Sequence, residues 1–178
     1  SDIGANTFLL PPDVWLRSKT VPNRLRLLKE WVAQGGNLLM IGGYFSFQGI
    51  DGRARWRNTA VEDTLPVTCH PWDDRVEIPE GAQADILLPD HAVMADMPAA
   101  WPPILGVNEV MVRDGATVVA RLPKDQGGHP LLVLGRHGKG RTAAWTSDVG
   151  PHWLSPEFCD WPGYGTLWKN LFGWLVAR

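Results

Sequence analysis

One α/β domain with a β-rich middle section is the fold this sequence predicts, and three observations predict it. An amphipathic helix pattern ends at Gly35-Gly36 and runs straight into a strand-length apolar stretch over 37–41. A second amphipathic helix pattern occupies 163–176 near the end of the chain. Between them, Pro66, Pro71, Pro79, Pro89, Pro98, Pro102 and Pro103 forbid long helices and leave short β-like runs. With 178 residues, 44% hydrophobic and 20% charged, the chain has material for one core, and a single domain over 1–178 is the expectation.

The opening Ser1-Asp2-Ile3-Gly4-Ala5-Asn6-Thr7 has no initiator Met and reads as the tail of a strand followed by a polar loop, so N-terminal elements are expected to be missing. Pro22 then marks a helix start, with Leu25, Leu28, Trp31 and Val32 at the spacing of one helix face. Asn37 to Ile41 follow as a short strand with apolar residues on both faces, the pattern of a strand covered from both sides. It stops on Gly42-Gly43 and delivers Tyr44.

Arg53, Arg55 and Arg57 could clamp a carboxylate or phosphate, yet a solvated loop is the more ordinary use of such a run. A short helix is expected within 58–65. The section from about 67 to 122 reads as a β-rich insertion with runs at 67–70, 75–78, 84–88, 109–113 and 117–122. Two apolar runs at 130–135 and 140–147, joined through Gly138-Lys139, predict a hairpin. That turn matches a phosphate-binding loop only superficially, since Val133 stands where the first glycine belongs.

Composition narrows the function. A formal net charge of -2 with scattered Lys and Arg offers no broad face for nucleic acid and no polybasic membrane patch. No apolar run approaches the roughly 20 residues of a membrane helix. Cys69 and Cys159 are distant and belong to no CxxC or zinc spacing, so a reduced, cytoplasmic setting is expected. No cofactor motif is present. Asp90-His91 with Asp96, and His129 with His137, lack compact ligand spacing, and no metal site is expected from them. The ten tryptophans are expected mostly in packing, with Trp153, Trp161 and Trp168 as an aromatic patch that would serve a homo-oligomer.

Three segments, Asp2 to Asn6, Gly42 to Ser46 and Ser147 to Gly150, read as strand ends that run into glycine and hydrogen-bonding residues. In open α/β sheets such carboxyl ends converge on the ligand edge. The blocks Ser1 to Thr7, Gly35 to Gly49 and Gly138 to Trp153 together resemble the glutamine amidotransferase-like family, an offshoot of the class I glutamine amidotransferase superfamily. The resemblance implies a flavodoxin-like, mostly parallel sheet flanked by helices. It also implies a site at the turn after the first strand, where active members carry a nucleophilic Cys backed by a late His-x-Glu.

Here Tyr44 holds the nucleophile's place, and no late His-x-Glu exists. A phenol with an ordinary pKa near 10 is a poor nucleophile at neutral pH. The expectation is a domain without glutaminase activity that binds a small polar ligand or a protein partner through Asp2, Asn6, Gly43, Tyr44, Ser46, Gln48, Asp148 and His152. The enzymatic alternative is a hydrolase or amidotransferase that recruits Ser46 or Cys159 with His152.

Overall fold

The chain begins with two short helices, α1 (Ala5–Leu9) and α2 (Pro12–Trp15), before the longer α3 (Arg24–Ala33). This computed structural model describes residues 1–177. Asn23 starts α3 by accepting hydrogen bonds from the backbone N–H groups of Leu25 and Arg26, satisfying donors that a helix start leaves open. Leu25 and Val32 face the core, whereas Trp31 lies outside it.

Nine strands follow: β1 (Leu38–Ile41), β2 (Val67–Cys69), β3 (Arg75–Ala82), β4 (Asp85–Ile86), β5 (Ile104–Asn108), β6 (Val110–Val112), β7 (Thr117–Arg121), β8 (Pro130–His137) and β9 (Gly140–Trp145). Helices α4 (Pro156–Asp160) and α5 (Pro162–Val176) come last. The main sheet has the order β1-β9-β8-β7-β4, while β2–β6 and β3–β5 form two separate ribbons.

The expectation of a mostly parallel sheet is corrected. Only β1–β9 is parallel, and the β9–β8, β8–β7 and β7–β4 pairs are antiparallel. Connection length is the reason. Strand β8 reaches β9 through Gly138-Lys139 alone, too short for the crossover that a parallel pair requires. Gly138 sits at a φ of 57°, and a Cβ there would stand 2.5 Å from the Ala33 carbonyl oxygen at the end of α3. Strands β4 and β7, read from the sequence as insertion, join the main sheet. The opening segment is no strand: Asp2 to Gly4 are irregular and lead into α1.

Side chains alternate across the sheet as strand geometry dictates. Leu132 and Leu134 of β8 with Ala143 and Trp145 of β9 enter a core under α4 and α5, together with Leu167 and Leu171. Val133, Ala144 and Met40 enter the opposite core with Leu25, Phe47 and Trp56. The sheet is therefore covered on both faces, which explains the unbroken apolar reading of its central strands.

The tryptophans divide. Trp56, Trp101, Trp145, Trp153 and Trp168 are buried, whereas Trp15, Trp31 and Trp72 are exposed. The expected aromatic patch does not form, because Trp153 is 1% and Trp168 8% exposed. Trp168 packs edge-on against Trp145 at 5.7 Å inside the core. No described helix is long and apolar enough to cross a membrane.

Candidate functional site at the carboxyl edge of the sheet

The parallel pair sends both its strands toward one edge, where the turn after β1 meets the loop after β9. The Gly42 N–H still donates to the Trp145 carbonyl at 2.7 Å, and beyond it the turn is tied by side chains. Asn108, at the end of β5, accepts from the Gly43 N–H at 2.9 Å and donates to the Gly43 carbonyl and to Asp74 Oδ1. Asp74 also accepts from the backbone N–H groups of Gln48 and Gly49, each at 2.8 Å. Both residues are buried, and burial pushes the Asp74 carboxyl above the ordinary range. This network holds the turn from below.

Tyr44 rises from that turn. Its hydroxyl donates to Glu77 Oε1 at 3.0 Å, and Glu77 Oε2 accepts from the Trp153 indole N–H at 2.9 Å. The Arg75 guanidinium covers the Tyr44 ring at 4.5 Å while forking onto both oxygens of Asp73. That fork holds the Asp73 carboxyl far below the ordinary range. Burial and Glu77 both raise the Tyr44 pKa, which moves the phenol further from a nucleophile.

His152 meets Tyr44 edge to face with ring centroids 4.5 Å apart, and stacks on Trp153. Its Nδ1 lies 2.6 Å from Asp148 Oδ2, which also accepts from the Trp153 backbone N–H at 3.1 Å. The carboxylate therefore fixes the orientation of the imidazole through Nδ1. His152 is held at a φ of 153°, a backbone region that side-chain-bearing residues rarely adopt. Burial raises the Asp148 carboxyl, against the opposing pull of His152.

Asp2 completes the group. Its backbone N–H donates to Ser46 Oγ at 3.0 Å, and its Oδ1 accepts from the Phe45 N–H at 2.8 Å. Gly43 is the pivot. A Cβ there would stand 2.6 Å from both Asp148 Oδ1 and Asp2 Oδ2, so only glycine lets the two carboxylates approach. Asp2, Tyr44, Phe45, Asp148, Val149 and His152 line a cleft of about 470 Å³, with Ser1, Gly150 and Pro151.

Of the sequence-predicted residues, Asp2, Gly43, Tyr44, Asp148 and His152 come together. Asn6 does not: it lies in α1 and borders a separate depression with Leu10, Trp15 and Arg24. Gln48 is outside the cleft, and its side chain reaches back to the Gly52 carbonyl. Ser46 is buried beneath Asp2, its Oγ already an acceptor. Cys159 sits on α4 against the core, its thiol pKa raised by burial and by Asp160. Neither pairs with His152 among the described residues, which removes the basis of the Ser46 or Cys159 alternative. Cys69 is buried and Cys159 half-buried, and both thiols are free. Among the described residues no three His, Cys, Asp or Glu side chains gather as a metal-ligand set.

Sequence reasoning missed Phe45, Asp74, Arg75, Glu77 and Asn108 as parts of the site. The alternation Arg75-Val76-Glu77-Ile78 does place Arg75 and Glu77 on one strand face. Nothing local marks Asp74 or Asn108, whose partners are distant in sequence.

Residues 1–177 match the sequence model of the family described as "Putative glutamine amidotransferase". This chain belongs to that family. It is similar to cytoplasmic protein STM3548 from Salmonella typhimurium, with 42% identity and a TM-score of 0.93 over 99% of this chain and 70% of that one. A similar match is cytoplasmic protein STM1381 from Salmonella typhimurium LT2, with 40% identity and a TM-score of 0.92 over 98% of this chain and 69% of that one. The β-galactosidase from Rahnella sp. R3 shares only the fold, at 13% identity and a TM-score of 0.51 over 81% of this chain and 19% of that one. No curated protein matches.

Proposed function

We propose that this family member is a ligand-binding domain without glutaminase activity, and that its cleft takes a small polar ligand or the polar group of a protein partner. The parallel β1–β9 pair, with a turn at its carboxyl end, supports a distant relation to the class I superfamily. The observation that carries the reading is the state of Tyr44. It stands where the family resemblance puts a nucleophile, yet its hydroxyl is committed to Glu77 and its pKa is raised.

Among the described residues no thiol lines the cleft, so attack on an amide carbonyl has no sulfur there to start from. The Asp148–His152 pair then serves recognition: its position is fixed by Trp153, and His152 Nε2 makes no hydrogen bond among the described residues. The free thiols and the names of the two Salmonella relatives support a cytoplasmic setting.

The experiment measures ammonia release from glutamine together with iodoacetamide labelling of the folded protein. The expected outcome is no turnover, and slow labelling that is the same in wild type and in His152→Ala. Turnover that disappears in Cys159→Ala would overturn the reading.

A further inference from the structure

The sheet face under α5 continues past its apolar core into charge. Two residues beyond Leu134, which enters that core, the same face of β8 carries Arg136, and Arg136 lies directly opposite Arg141 of β9. Directly opposed residues place their Cβ atoms about 4.5–5.5 Å apart, and like charges there repel. Arg141 has compensation: its guanidinium covers the Trp174 ring at 5.1 Å and donates to the Trp174 carbonyl in the last turn of α5, the negative end of that helix. Arg136 has none, and neither arginine forms an ion pair among the described residues.

Arg136 lines a depression of about 260 Å³ together with His91, Thr117, Leu134 and Trp174, and no described Asp or Glu belongs to that lining. Asp90 and Asp114, the nearest carboxylates along the chain, are exposed and stand outside it. Thr117 is paired with Leu134 across β7 and β8, so its side chain shares the face of Arg136. His91 brings a donor of known state. The Val93 backbone N–H donates to His91 Nδ1 at 3.2 Å, and because that N–H can only donate, the neutral ring carries its proton on Nε2. His91 Nε2 makes no hydrogen bond among the described residues.

From this arrangement we propose that the depression binds a phosphate group, with the Arg136 guanidinium, the His91 Nε2–H and the Thr117 hydroxyl as donors and with Leu134 and Trp174 as the wall for a small apolar substituent. Donors from three separate segments suit a tetrahedral anion, whose oxygens point in separate directions, better than a flat carboxylate. The negative charge also offsets the opposed arginines. The site shares no lining residue with the Tyr44 cleft and stands whether or not that cleft takes a ligand.

Phenyl phosphate, inorganic phosphate and benzoate are titrated into the folded protein at constant ionic strength. Binding is followed at the backbone amides of Arg136 and of Val93, which reports on His91. Both phosphates should shift both amides to saturation, and benzoate should bind about tenfold or more weakly. Arg136→Gln should weaken phosphate binding about tenfold or more, and it spares the fold because Arg136 is exposed. His91→Asn keeps an acceptor for the Val93 N–H while removing the ring donor, and should weaken binding as well. Tighter binding of phenyl phosphate than of inorganic phosphate supports a phosphate ester as the ligand, and equal binding supports the free anion.

Shifts that never saturate, or that persist in full in Arg136→Gln, overturn the phosphate site. Benzoate binding as tightly as phenyl phosphate overturns it too.

Discussion

The turn after β1 has polar groups on two sides, and the two sides are wired in opposite ways. Beneath it, Asp74 and Asn108 are sealed from water and are spent on the backbone of Gly43, Gln48 and Gly49 and on each other. Above it, Asp2, Asp148 and His152 each keep an atom without a hydrogen bond among the described residues. A buried polar group with its hydrogen bonds satisfied specifies one backbone path. A largely buried carboxylate with an unspent oxygen at an opening has capacity left for a ligand. The lower side explains the fold of the turn, and the upper side its chemistry.

Asp74→Ala is the severest way to break this comparison. It leaves two backbone N–H groups and the Asn108 amide without their acceptor, which should cost about 3–5 kcal/mol. Calorimetry should show Tm lowered by about 10 °C, and a fall of less than about 2 °C would mean that the network does not hold the turn.

Gly43→Ala tests the join between the two sides. The new methyl would collide with Asp2 and Asp148 oxygens at a φ of 129°, so urea unfolding should report a loss of about 2–3 kcal/mol. The Phe45 amide should shift with it. An unchanged Phe45 resonance would show that the carboxylates do not converge there.

Tyr44→Phe should act on the upper side alone. It removes the hydroxyl bond to Glu77 and keeps the ring against His152 and Arg75, so the expected stability change is within about 1 kcal/mol. A loss as large as that of Asp74→Ala would make Tyr44 part of the structural side.

The smallest effect is a pH dependence. The Asp74 carboxyl is raised in the folded protein, mainly by burial, so the folded state binds its proton more tightly than the unfolded chain. Stability therefore falls as pH rises from the unfolded value near 3.9 through the folded pKa, and the penalty is complete above it. Urea midpoints should show wild type leading Asp74→Asn by more at pH 4 than at pH 7. A gap that is constant or grows with pH would mean that burial does not dominate at Asp74.

Much of this protein was legible along the chain because it rests on neighbours in sequence. The stripe of Leu25, Leu28 and Val32, the strand that stops at Gly42-Gly43, the hairpin at Gly138-Lys139 and the helix ending near Val176 are all local patterns. The placement of Tyr44 at a turn between strand and loop was local too. The direction of the sheet was not, because strand pairing depends on which segments meet across the chain and on the length of what joins them. The site divides in the same way. Sequence supplied Asp2, Tyr44, Asp148 and His152 as residue types at expected strand ends and turns. Only the fold decided that Asp2 and Asp148 meet over a glycine, that Asn6 and Gln48 do not, and that Asp74 and Asn108 lock the turn from below, because each of those facts is a contact between segments that only tertiary packing brings together.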